Sequence, residues 1–179
     1  MVRGDSGRRA GPDHPVVVGF DGSPDSARAV HYAADVAANT GALLTIVTAY
    51  QTASPRRAVG ASRLGQPTDD DGPDFEAIAR EAAREIATSA LGIARQRHPV
   101  LPAVQRALGG TAVDVLTSAA AQAGLLVVGS RGHGGFSGLV LGSTSHRLIH
   151  TSPCPVVVVR GRTSQSAKHP VPTTAIQPT

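Results

Sequence analysis

The chain reads as an α/β protein, a five-stranded parallel sheet with helices on both faces. Three observations predict this. Aliphatic and β-branched runs recur at residues 16–18, 42–49, 125–128 and 156–159, with helically periodic segments between most of them. The run at 42–49 is apolar nearly throughout rather than alternating, as expected of a strand covered on both faces of a parallel sheet. A glycine-rich loop follows residues 125–128, in the place where open α/β sheets bind ligands, outside the carboxyl end of a strand.

Val16-Val17-Val18 opens the first strand, which ends near Gly19-Phe20. Asp21 to Asp25 is turn chemistry, with Ser23 as N-cap and Pro24 at the first helical position. The helix runs to about Asn39, with Ala27, Val30, Ala33, Ala34 and Ala37 on one face, and Thr40-Gly41 stops it. Residues 42–49 form the second strand. Residues 51–73, with an Asp69-Asp70-Asp71 run and no periodicity, are expected to be a long mobile loop. Asp74 caps a second helix to about Arg97, with Phe75, Ile78, Ala82, Ile86, Ala90 and Ile93 as its expected buried stripe. A weaker strand follows at 103–107. Thr111 caps a third helix carrying Val113, Leu116, Ala119 and Ala120, which Gly124 is expected to end. The fourth strand is 125–128. A short helix covers about 143–150, and the fifth strand is 156–159. The alternation predicts right-handed crossovers.

The composition fits one domain, residues 15–160, between disordered segments at 1–14 and 161–179. Aromatic residues make up only 3%, so the core is aliphatic and the stacking platforms of single-stranded nucleic-acid binders are missing. The net charge of +4 sits largely in Arg3, Arg8, Arg9, Arg160, Arg162 and Lys168, without a dedicated basic face, so no specific nucleic-acid partner is expected. A single cysteine, Cys154, fits a reducing compartment and reads as a small packed residue. No apolar run approaches the roughly 20 residues of a membrane span, and the basic N-terminus has no apolar stretch behind it. The expected location is the cytoplasm.

The glycine loop fails three familiar patterns. Gly142-Ser143 lacks the lysine of a P-loop. A dinucleotide fingerprint begun at Gly132 meets Ser137 in its last glycine position. A nucleophile elbow begun at Gly135 meets Leu139 where glycine is required. What stands is Gly129-x-x-Gly132, nine residues, then Gly142-Ser143, between a buried strand and a helix start. Glycines permit close backbone approach, and a helix N-terminus offers N–H groups and a positive dipole end to phosphate.

This spacing, with Asp21 after the first strand and Pro153-Cys154-Pro155 before a valine strand, resembles the universal stress protein family over about residues 15–160. The resemblance implies a Rossmann-like fold akin to the adenine-nucleotide α-hydrolases, with strand order 3-2-1-4-5. It implies ATP as ligand, with Mg2+ on its phosphates. Asp21 matches the acidic residue near the nucleoside, and Ala49 the position whose backbone meets adenine. Val128 and Gly129 lie near the sugar, and Gly132, Gly142, Ser143 and Ser145 around the phosphates. It further implies a homodimer through antiparallel pairing of residues 156–159, which also covers an apolar edge. Two positions differ from the family's usual residues: Gly19 stands where the best-known ATP binders have Pro, a place where Gly is also common, and Gly124 where Asp is usual.

No general base for hydrolysis is evident, so any ATPase activity is expected to be slow. Two alternatives stand beside an ATP-binding stress-response protein. One is a dimeric interaction module that binds no nucleotide. The other is an adenine-nucleotide α-hydrolase, although Phe20-Asp21-Gly22-Ser23-Pro24-Asp25 replaces that group's S-G-G-x-D-S loop. His146 and His150 share a helix face but lack a third ligand, and Arg131 and His133 read as solvated loop side chains.

Overall fold

The computed structural model of the chain describes residues 8–52, 74–132 and 141–161. Among these residues the β-branched runs form five strands: β1 (Val16–Gly19), β2 (Leu44–Tyr50), β3 (Ala103–Gly109), β4 (Leu125–Gly129) and β5 (Val156–Val159). They make one parallel sheet in the order β3-β2-β1-β4-β5. Side chains alternate across it as the period of two requires. Val16 and Val18 enter one core cluster with Leu44, Ile46 and Val127, while Val17 enters the other with Leu126 and Val128.

Four helices cover the two faces. Helices α1 (Pro24–Thr40) and α2 (Phe75–Arg97) build the first cluster, and α3 (Ala112–Ala120) and α4 (Ser143–Thr151) build the second. Their ends follow the expected chemistry. Ser23 Oγ accepts from the Ser26 N–H at 3.2 Å, and Thr111 Oγ1 from that of Asp114 at 3.2 Å. Asp74 Oδ1 accepts from the N–H groups of Glu76 and Ala77. Gly41 closes α1 at φ 67°, a left-handed conformation that glycine adopts without strain.

Three expectations change. The buried stripe of α2 is Ala83, Ala87, Ala90 and Ala94, while Phe75, Ile78 and Ala82 are exposed. Close approach to α1 and the sheet selects the smallest side chains, and Ile86 and Ile93 flank them half-buried. Helix α3 ends at Ala120 with Ala121 as its cap, short of Gly124. That glycine serves packing instead, because the Arg9–Ala10 backbone occupies the space a Cβ would need. The same contact bears on residues 8–14, which belong to the segment expected to be a disordered arm. Gly11 and His14 exchange hydrogen bonds at 3.0 and 3.1 Å, Ala10 packs on the core, and Arg8 donates to the Ala121 carbonyl. Of the segments expected at 1–14, 51–73 and 161–179, residues 1–7, 53–73 and 162–179 lie outside the described residues, as do the loop residues 133–140.

Candidate functional site

Strand β1 lies between β2 and β4, and the chain leaves β1 for one face of the sheet and β4 for the other, so the strand ends part at this point. A cleft of about 630 Å³ opens there, within the roughly 300–1,000 Å³ of small-molecule sites. All eight positions singled out in the sequence, Asp21, Ala49, Val128, Gly129, Gly132, Gly142, Ser143 and Ser145, line it.

One end of the cleft is apolar. Val47 and Ala49 of β2, Val128 of β4, Phe20, and Ala112 and Leu116 of α3 surround it. Gly19 belongs to this end. Leu116 Cδ1 sits 2.9 Å from where a Gly19 Cβ would be.

The other end is polar and is assembled from backbone. Gly129 passes so close to the start of α1 that a Cβ would lie 2.8 Å from both the Asp25 carbonyl carbon and the Ser26 nitrogen. The Asp21 carboxylate packs directly over Gly132, and its Oδ1 accepts the Ser23 N–H at 3.0 Å. Gly142 caps α4 with no side-chain hydrogen bond. The first turn of α4 at Ser143, Thr144 and Ser145 therefore presents N–H groups that no helical carbonyl takes. Not every matched group faces the cleft with a free donor. The Gly142 N–H goes to the Ser130 carbonyl at 2.7 Å, and the buried Ser145 hydroxyl is shared between the carbonyls of Ser130 (3.1 Å) and Gly142 (3.0 Å). These two positions hold the loop, and Ser143 is the more exposed hydroxyl.

Sequence reasoning missed what fastens this end. Asp25, in the first turn of α1, has a side chain only 6% exposed. Its Oδ2 accepts the Ser130 hydroxyl at 2.6 Å and lies 3.6 Å from Arg131 Nε, while Oδ1 pairs with Arg28. Burial pushes this carboxyl's pKa up, but the Ser130 hydrogen bond and the two guanidinium groups outweigh it and hold it below the usual value. Arg131 is thus anchored rather than a solvated loop side chain, and it lines the cleft. His133 lies outside the described residues. A carboxylate near a helix N-terminus reads as an ordinary dipole partner, and nothing local in the sequence ties it to Ser130, 105 residues on.

Elsewhere the chemistry is plain. The imidazole rings of His146 and His150 meet edge to face, 5.1 Å apart, and no group of three or more metal-ligating side chains occurs among the described residues. Cys154 is fully buried in the second core cluster, and burial raises its thiol pKa. No described helix is long and apolar enough to cross a membrane.

A ligand-sized cleft at the switch point of a parallel sheet, part apolar wall and part helix start, makes this an α/β protein of the Rossmann-like kind. The chain belongs to the universal stress protein family, which it matches over residues 14–160. A universal stress protein of Mycobacterium tuberculosis is 34% identical over 150 residues, covering 83% of this chain and 46% of its own length. One from Mycolicibacterium smegmatis is 32% identical over 162 residues, covering 90% of this chain and 51% of that protein. The chain therefore spans about half the length of these relatives. Among solved structures, a universal stress protein in complex with cAMP is 29% identical with a TM-score of 0.60, over 82% of this chain and 96% of that one. A universal stress protein from Archaeoglobus fulgidus in complex with dAMP shares the fold at 20% identity, with a TM-score of 0.54 over 82% and 97% of the two chains.

Proposed function

We propose that the cleft binds ATP, and that the protein acts in stress response as a nucleotide-dependent regulator with at most slow hydrolysis. The observation that carries this reading is convergence. Eight residues drawn from β1, β2, β4 and α4 with their flanking turns, chosen for a nucleotide, line one cleft whose apolar and polar ends suit a base and phosphates. The cAMP complex of the 29% identical relative supports an adenine ligand. Mg2+ would be carried on the phosphates. Slow turnover is supported by the carboxylates. Asp21 is the only one lining the described cleft, and it already accepts the Ser23 N–H. The buried single cysteine supports a cytoplasmic setting.

Thermal melting tests the reading. A ligand that binds only the folded state stabilises it by about 2.7 kcal/mol at a hundredfold excess over its dissociation constant. Millimolar ATP with Mg2+ is expected to raise the melting temperature, and no change would remove the nucleotide from the account.

The homodimer through β5 belongs to the same proposal. The Leu126 N–H bonds to the Pro155 carbonyl and the Ser130 N–H to that of Val159. With a period of two, Val156 and Val158 turn their backbone groups to the free edge. Val157, Val158 and Val159 are only half-buried, which leaves an apolar edge open to pairing.

A further inference from the structure

Among the described residues, Asp25 is the only charged residue that is buried, and the cleft's ligand chemistry does not itself require it there. Its connections run through Ser130, where three parts of the fold meet. The Ser130 N–H donates to the Val159 carbonyl of β5 at 2.8 Å. The Ser130 carbonyl accepts the Gly142 N–H at 2.7 Å and the Ser145 hydroxyl at 3.1 Å, both at the start of α4. The Ser130 hydroxyl donates to Asp25 Oδ2 at 2.6 Å on α1. Ser130 also lies between Gly129 and Gly132, so this single residue joins the first half of the glycine motif to the second. The oxygen that holds it also faces Arg131 Nε at 3.6 Å, close enough to hold the guanidinium at the polar end by charge.

We propose that Asp25 is a positioning residue for the phosphate groups of a nucleoside phosphate. Through the Ser130 hydroxyl it sets the spacing of Gly129–Gly132 against the start of α4, and by charge it holds Arg131 beside them. This rests on the nucleotide reading of the cleft. The electrostatics permit it, because Arg28 and Arg131 balance the carboxylates of Asp25 and Asp21 and leave no net negative charge among the four groups. The alternative is a simple competitor, in which Asp25 draws Arg131 away from phosphate. The two accounts differ in sign, since removing a competitor tightens phosphate binding and removing a positioning group weakens it.

Calorimetric titration of ATP and of adenosine into the wild type, Ser130→Ala and Asp25→Asn tests this. Ser130→Ala leaves every charge in place and carries the test alone should Asp25→Asn fail to fold. Both variants are expected to weaken ATP about tenfold, the scale of a hydrogen bond to a charged group. Adenosine, which has no phosphate, is expected to bind within about twofold of wild type. The double variant should bind ATP no more weakly than Asp25→Asn, because both changes break one connection. Unchanged or tighter ATP binding overturns the proposal, and so does equal loss of ATP and adenosine, which marks a general structural role. A wild type that binds neither ligand overturns the nucleotide reading itself and the proposal with it.

Discussion

Gly129 shows how tightly the cleft is built at the level of single residues. Any Cβ there meets the α1 backbone at 2.8 Å, and backbone cannot swing aside as a side chain can. Gly129→Ala is therefore expected to destabilise the protein by about 1–3 kcal/mol, the range for overpacking. Gly132→Ala meets only the end of the Asp21 side chain and should cost less, so denaturant melts of the two variants are expected to separate. Acidity acts at the same scale. The pKa values of Asp25 and Asp35 are both lowered in the fold from the ordinary 3.8. For Asp35 burial again raises the value, and the partners His98 and Arg97, each 2.7 Å from Oδ1, outweigh it. A lowered folded-state pKa gives stability that is complete above the unfolded value and fades as pH falls through the folded one. Melting temperature should accordingly drop below about pH 4, and Asp25→Asn should flatten that drop while lowering stability near neutrality. A variant as steep in acid as the wild type would show that Asp25 does not carry this dependence.

Among the elements, strands and cleft were legible in the sequence for a physical reason. Valine runs and glycines that close a strand end are local patterns, and they led to β1, β4, β5 and the glycine loop, whereas the eight cleft positions rested on the family resemblance. Helix α2 was misread because residue size is a poor guide where helices pack closely. Phe75 and Ile78 are exposed, while Ala90 is buried as expected and Ala83, Ala87 and Ala94, each one position on from the expected Ala82, Ile86 and Ile93, make the rest of the contact. Helix capping by Ser23, Asp74 and Thr111 was visible in single residues. The Asp25–Ser130–Arg131 cluster was not, since it exists only once α1 and the β4 loop are brought together. The corrected stripe of α2 is testable by urea unfolding. Ala87→Leu, at a fully buried position outside the expected stripe, should cost about 1–3 kcal/mol, while Ile78→Ala on the exposed side should stay within about 0.5 kcal/mol. Similar losses in the two variants would restore the original stripe.

At the scale of the whole molecule, the sheet has two unlike edges. Strand β3 is largely exposed but interleaves charged and polar residues, with Gln105 and Arg106 between Val104 and Ala107. Strand β5 is all valine. Pairing of β5 with a second copy predicts a solution mass twice the 18.2 kDa of the chain. Val158→Pro removes the outward N–H at the middle of that edge, where proline is tolerated in an unpaired strand. It should yield monomers that still bind ligand. A wild type that light scattering finds monomeric at micromolar concentration would leave the edge without this partner. The central claim concerns the cleft. Isothermal titration of ATP with Mg2+ into the wild type and Gly142→Val tests it most directly. Among the described residues, a Cβ at Gly142 comes no closer than 3.4 Å to the Ser130 carbonyl oxygen, an ordinary contact, and Gly142 lines the cleft. Saturable single-site binding in the wild type, abolished in a Gly142→Val protein with little change in melting temperature, is the predicted result. No binding heat with the wild type, or equal binding by both proteins, would contradict it.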